Sequence, residues 1–288
     1  MSLCATAVAW SADGDLFKYP VPPAELTRLD ERCDYLVTHF WDHADIKAYM
    51  SKSDKLNNTF GDWIGFMPYA SADTVYAAID RLMDAQKKRG PQALHLARLA
   101  ENWVYSDTSE VYSDDIYYRF ARAAAENKKI PAADRARFES QVRIIDNTRQ
   151  GGKLSHLDFV TPQGKEMSVD SIRTQAILVF FNDHDCDDCT LARVRLSADH
   201  NANKLIEAGI LTILSIEPGD ASAEWHVAAA SYPENWVVGA AEDADAWFNL
   251  RTSPQFMLLD ARHRILAKDF PVEGALRSIA AIRANSGL

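Results

Sequence analysis

Two periodicities divide the chain. Over residues 24–148 apolar side chains recur at spacings of three and four, and from Phe159 onward short continuous apolar runs alternate with helix-compatible stretches. Within residues 24–50 the stripe Leu26, Leu29, Cys33, Leu36, Val37, Phe40 predicts one helix facing a core, with Cys33 a buried small hydrophobe. Residues 54–70, punctuated by Gly61, Gly65 and Pro68, predict a loop-rich connection. Ser71 and Asp73 are capping residues for a helix over 74–88, with Val75, Ile79 and Met83 inward. Helices over 92–105, 113–127 and 132–148 follow, the last opened by Pro131. Gly151-Gly152 ends the helical run, so an irregular arm (1–23) precedes an all-α domain (24–150).

The remaining residues, 153–288, read as an α/β domain with a central mixed sheet and helices on both faces. A hairpin over 159–169 comes first, then a buried strand over 177–181. One long helix over 190–208 and a strand over 210–216 follow. A short helix (221–230) precedes a short strand (236–239) that reads as an insertion, and a helix over 244–250 leads to Pro254. Strands over 256–259 and 264–267 make a final hairpin before a closing helix over 274–284.

A net charge of −10 with no basic face argues against nucleic acid as a partner. No run approaches eighteen apolar residues, so no membrane span is expected. Four cysteines, at 4, 33, 186 and 189, do not make a disulfide scaffold in a chain of 288 residues. Met1-Ser2-Leu3 reads as an expression remnant, and the small residues after Cys4 suit the start of an exported chain, with a lipid anchor on Cys4 as one option.

The chemistry gathers where the apolar run 177–181 meets Cys186-Asp187-Asp188-Cys189. At a helix N-terminus the first sulfur faces solvent beside unpaired N–H groups, and the second lies one turn on, within reach of a disulfide. The helix dipole there favours a thiolate, the species that attacks disulfides. Thr252-Ser253-Pro254 before a second apolar run marks a strand entry suited to a cis peptide.

In order and motifs, residues 153–288 resemble the thioredoxin fold, and within it the envelope thiol–disulfide oxidoreductases related to TlpA and ResA. That resemblance implies a cis Pro254 packed beside Cys186, an attacking Cys186 and a resolving Cys189, no cofactor, a protein disulfide substrate or upstream redox partner, and a periplasmic or envelope location. This chain departs from the family at Asp185, where many members carry Trp, and in the Asp-Asp dipeptide between the cysteines. Phe180 stands where thioredoxins carry a buried acid, which leaves Glu217, at the end of the strand over 210–216, as the candidate proton acceptor for Cys189. An all-α domain containing His39-Phe40-Trp41-Asp42 ahead of such a half resembles a family of bacterial proteins of unknown function, and its expected role is docking a partner or covering the redox edge.

Asp183, Asp185, Asp187 and Asp188 surround Cys186. At about 7 Å and an effective dielectric of about 40, each carboxylate opposes the thiolate by about 1 kcal/mol. The helix terminus typically returns roughly 0.3–1 kcal/mol. A destabilised thiolate favours the disulfide, which makes the pair a reductant. Asp187 and Asp188 also serve any helix as first-turn residues, and a protonated His184 offsets part of the negative field.

Three other readings compete. Zinc on Cys186 and Cys189 would need two more ligands from His184, His200, His226 or His263, yet no second short-spaced pair exists. His39, Asp42 and His43 share a helix face but lack a third-ligand signal and read as an aromatic core with an exposed acid. A third reading keeps the redox fold as a scaffold, with the helical domain docking a partner.

Overall fold

The computed structural model describes residues 16–106 and 108–287, so Cys4 and its anchor lie outside the described residues. The chain divides into two compact units, the first ending at Val142 and the second starting at Arg143.

The first unit is all-helical: α1 (Leu29–His39), α2 (Ile46–Tyr49), α3 (Ser53–Phe66), α4 (Ala72–Ala85), α5 (Gly90–Val104), α6 (Asp114–Glu126) and α7 (Ala132–Asn147), whose last turn crosses into the second unit. Its core is aromatic: Phe40, Phe60, Trp63 and Phe120 are at most 1% exposed, with neighbouring rings mostly edge-on. Two expectations fail here. Residues 24–50 form two helices, because the chain turns at 40–45 and Asp45 caps α2 by accepting from Ala48 N–H at 3.1 Å. Residues 54–70 are mostly helix, with Leu56, Phe60, Trp63 and Ile64 on the buried side of α3. Gly61 there serves close packing: an added Cβ would stand 2.4 Å from the Trp103 ring. The units part inside α7, ahead of the glycine pair, since the end of α7 bonds into the second unit, where Asn147 Nδ2 donates to Trp247 O at 3.0 Å.

The second unit is a seven-stranded sheet in the order β2-β1-β5-β4-β3-β6-β7. Its strands are β1 (Asp158–Val160), β2 (Glu166–Ser168), β3 (Ala176–Phe181), β4 (Leu211–Pro218), β5 (Val237–Ala241), β6 (Gln255–Asp260) and β7 (Ile265–Phe270). Between them lie α8 (Asp187–Ala198), α9 (His200–Glu207), α10 (Ala223–Ala229) and α11 (Ala244–Trp247), and α12 (Val272–Asn285) closes the chain. β3 runs parallel to β4 and antiparallel to β6, so the sheet is mixed.

β3 is buried throughout because both faces are covered. Its alternate side chains separate into two cores. Ile177, Val179 and Phe181 join Leu214, Met257 and Phe248 on one face, and Leu178 and Phe180 join Leu196, Leu205 and Ile279 on the other. The expected single helix over 190–208 is two helices, because Asp199 ends α8 and caps α9 by accepting from Ala202 N–H at 2.8 Å. The strand expected to be an insertion is β5, inside the sheet between β1 and β4.

Candidate functional site

β3 ends at Phe181 and delivers a polar turn to the head of α8. Cys186 is the N-cap of α8, in extended backbone, and its Sγ accepts from Cys189 N–H at 3.1 Å. A sulfur thus fills the place helices usually give to a serine or aspartate oxygen. Cys189, one turn deeper, is 2% exposed and packs into the core that contains Phe180 and Phe256. Neither cysteine is bonded to another.

The Ser253–Pro254 peptide is cis and leads into β6. Ser253 touches both sulfurs: its carbonyl accepts from Cys186 Sγ at 3.6 Å, and its Oγ lies 3.0 Å from Cys189 Sγ. Burial pushes the Cys189 thiol up to about 12, with the Cys186 sulfur adding to the shift and the Ser253 hydroxyl opposing it.

Glu217, near the end of β4, is 7% exposed and reaches the turn before the cysteines. Its Oε2 accepts from His184 N–H at 3.0 Å, and its Oε1 lies 2.7 Å from His184 Nδ1. That hydrogen bond holds the imidazolium above the usual histidine range, while burial raises the Glu217 carboxyl against the opposing pull of His184. Next to it Asn182 Nδ2 donates to Ser215 Oγ at 2.8 Å and the Tyr232 hydroxyl donates to Asn182 Oδ1.

Of the residues singled out from sequence, Cys186, Cys189, Pro254, His184 and Glu217 occupy the ends of β3 and β4 and the entry to β6. Asp185, Asp187 and Asp188 are exposed, the last two in the first turn of α8. Asp185 N–H donates to Asp183 Oδ1 at 2.9 Å, and the Asp185 carboxylate lies 3.7 Å from His184 Nε2. Phe180 is fully buried, stacked on Phe256 with ring centroids 4.9 Å apart, so no acid is wanted there. Sequence reasoning missed Ser253, visible only as the residue before Pro254, and the Asn182–Ser215–Tyr232 chain, whose members no short motif joins.

For metals, Asp183, His184 and Glu217 bring three donor atoms within 4.8 Å of one another. The other histidines weighed for zinc have partners elsewhere or face solvent. His263 is buried against Ile172 O and Asp170, His226 meets Ser222 O, and His200 is exposed. His39 pairs with Asp42 at 2.7 Å, and Asp42 with Arg81 at 3.4 Å, a surface ion-pair chain.

Fold and site together define a thioredoxin-like protein with a helical domain ahead of its sheet. A crystal structure of a thioredoxin-like protein from Bacteroides caccae matches with a TM-score of 0.75 at 20% identity, over 92% of this chain and 98% of its own. A conserved protein of unknown function from Bacteroides fragilis is 27% identical over 46% of this chain and 98% of its own, with a TM-score of 0.44. The thioredoxin domain of a thiol–disulfide oxidoreductase from Bacteroides vulgatus is 18% identical over 46% of this chain and 96% of its own, with a TM-score of 0.39. No curated protein matches the chain. The model of a domain of unknown function, DUF5106, matches residues 4–148, and the chain belongs to that family.

Proposed function

We propose that the protein is a thiol–disulfide oxidoreductase of the TlpA and ResA kind, a reductant of protein disulfides in the bacterial envelope. The observation that carries this reading is Cys186 capping α8 with Cys189 one turn on, both sulfurs against Ser253, the residue before cis Pro254.

The Cys186 thiolate attacks one sulfur of a substrate disulfide, whose S–S bond breaks and whose other sulfur leaves as a thiolate that takes a proton from water. Cys189 then attacks Cys186 Sγ, closing the protein's own disulfide and releasing the second substrate sulfur. Two electrons pass to the substrate, and an upstream dithiol partner restores the pair. With its thiol at about 12, Cys189 attacks only as its proton leaves. Glu217, already in a proton-sharing pair with His184, is the assigned acceptor in place of the missing acid at 180, and Asp185, Asp187 and Asp188 set the negative field that favours the disulfide form. Pro254 shapes the loop against which the substrate strand docks. No helix among the described residues is long and apolar enough to cross a membrane.

Titration against glutathione should give a potential well below about −150 mV, and a value near that of DsbA would rule out the reductant assignment. Cys189→Ser should trap a mixed disulfide on Cys186 with a protein substrate.

A further inference from the structure

The attacking sulfur sits among exposed carboxylates that have no cation of their own. Asp183, Asp185, Asp187 and Asp188 are all exposed, and all lie within three residues of Cys186, the half-buried N-cap of α8. Among the described residues no lysine or arginine pairs with any of the four. Asp183 and Asp185 each come within 3.7 Å of His184, whose charge is already met by Glu217 at 2.7 Å. The arginines nearest in the chain are engaged elsewhere. Arg193 stacks on Tyr232 and donates to Ser231 Oγ at 2.7 Å, Arg195 meets Glu273, and Arg251, ahead of cis Pro254, is half-buried with a partner of its own.

A second feature continues from the carboxylates. Leu191 and Val194 are 58% and 55% exposed and share the side of α8 that carries Asp187, at spacings of four and seven. Large aliphatic side chains left in water beside a reactive sulfur suit a polypeptide, which extends past its own disulfide, better than a small disulfide, which does not.

The field acts on the reaction as well as on the resting thiol. Attack spreads negative charge over three sulfurs, and the four carboxylates oppose that charge as they oppose the thiolate. A cation carried by the substrate offsets both effects, and a chain with a net charge of −10 also draws such a partner in. An influence on the thiol alone slows every disulfide equally, whereas recognition sorts them by charge.

We infer that the substrate is a protein disulfide whose cysteine is flanked by lysine or arginine and accompanied by aliphatic residues. The cations lie among Asp183, Asp185, Asp187 and Asp188, and the aliphatic residues over Leu191 and Val194. This rests on the oxidoreductase reading and names its substrate class. The reduced protein supplies two electrons and two protons, so the substrate S–S bond breaks to two thiols as the Cys186–Cys189 bond forms.

The test uses the full reduced chain and three peptide disulfides, the dimers of N-acetylated, C-amidated Lys-Cys-Lys, Gln-Cys-Gln and Glu-Cys-Glu. Released peptide thiol is followed by quenched flow, and each rate is divided by that of dithiothreitol with the same peptide, which removes differences in intrinsic reactivity. The lysine peptide should exceed the glutamine peptide about tenfold, and the glutamate peptide should fall about as far below it. Raising salt from about 20 mM to about 0.5 M should close most of the gap. Asp187→Asn combined with Asp188→Asn, both at exposed positions, should narrow the lysine-to-glutamate gap from about a hundredfold to about tenfold. Two leucines added to the lysine peptide should raise its rate roughly threefold, and Leu191→Ser with Val194→Ser should remove most of that gain. Equal ratios for the three peptides, a gap that neither salt nor the aspartate substitutions change, or no gain from the added leucines would overturn this substrate class and leave the oxidoreductase reading standing. Failure to reduce any of the peptides would overturn that reading, and this one with it.

Discussion

Each unit buries a cysteine, and the two thiols have different prospects. Cys33 on α1 and Cys189 on α8 are 4% and 2% exposed, and burial is the main reason both thiols titrate above the usual range. Around Cys33 the next influence is the charge of Asp34, and around Cys189 it is the Cys186 sulfur, with the Ser253 hydroxyl pulling the other way. Burial by itself silences a thiol. A second sulfur one turn away gives the buried one a partner it can reach without meeting solvent.

The largest test of that contrast is Cys186→Ser, which should bring insulin reduction to the uncatalysed background, while Cys33→Ala leaves turnover unchanged. Equal losses in the two variants would erase the distinction. Next comes Phe180→Asp, which restores an acid where thioredoxins have one. Because Phe180 is fully buried and stacked on Phe256, the variant should lose about 3–5 kcal/mol in urea unfolding. A Phe180→Asp protein that stayed stable and turned over faster would show that the aromatic layer around Cys189 is dispensable. Ser253→Ala removes the hydroxyl 3.0 Å from Cys189 Sγ, and the loss of about 1 kcal/mol should slow closure of the mixed disulfide roughly fivefold in stopped flow.

The smallest effect concerns pH. His184 titrates above its ordinary 6.5, chiefly through its hydrogen bond to Glu217. A raised folded value means stability that is fully present below pH 6.5 and lost as pH rises through the folded value. In Glu217→Gln that decline above pH 6.5 should flatten, and the His184 ring-proton titration should move down. A His184 curve identical in both proteins would dissolve the pair.

The two units also differ in how much of them was legible. In the sheet unit the five-residue apolar run at 177–181, the CxxC and Pro254 are each local and lie near the positions the structure gives them. Ser253 was invisible because its role depends on a side chain 64 residues away, a separation that no spacing rule reads. In the helical unit α3 was hidden by Gly61 and Gly65, which ordinarily signal turns. Gly61 instead answers to the Trp103 ring across the helix pair, a tertiary demand written in the residue's absence of a side chain. The break at Asp199 was hidden in the opposite sense, since an aspartate inside a helical pattern looks tolerable until its side chain is seen closing the next helix.

The sulfur that caps α8 couples chemistry to backbone order. A thiolate at Cys186 is a charged acceptor for the Cys189 amide, and the same atom in a disulfide has less electron density to lend. On the proposed redox cycle each change of oxidation state would loosen or tighten the first turn of α8, so that fraying, deuterium uptake at residue 189 and local proteolysis should rise on oxidation and fall on reduction. The protein would thus announce its electron count through the mobility of a single helical turn.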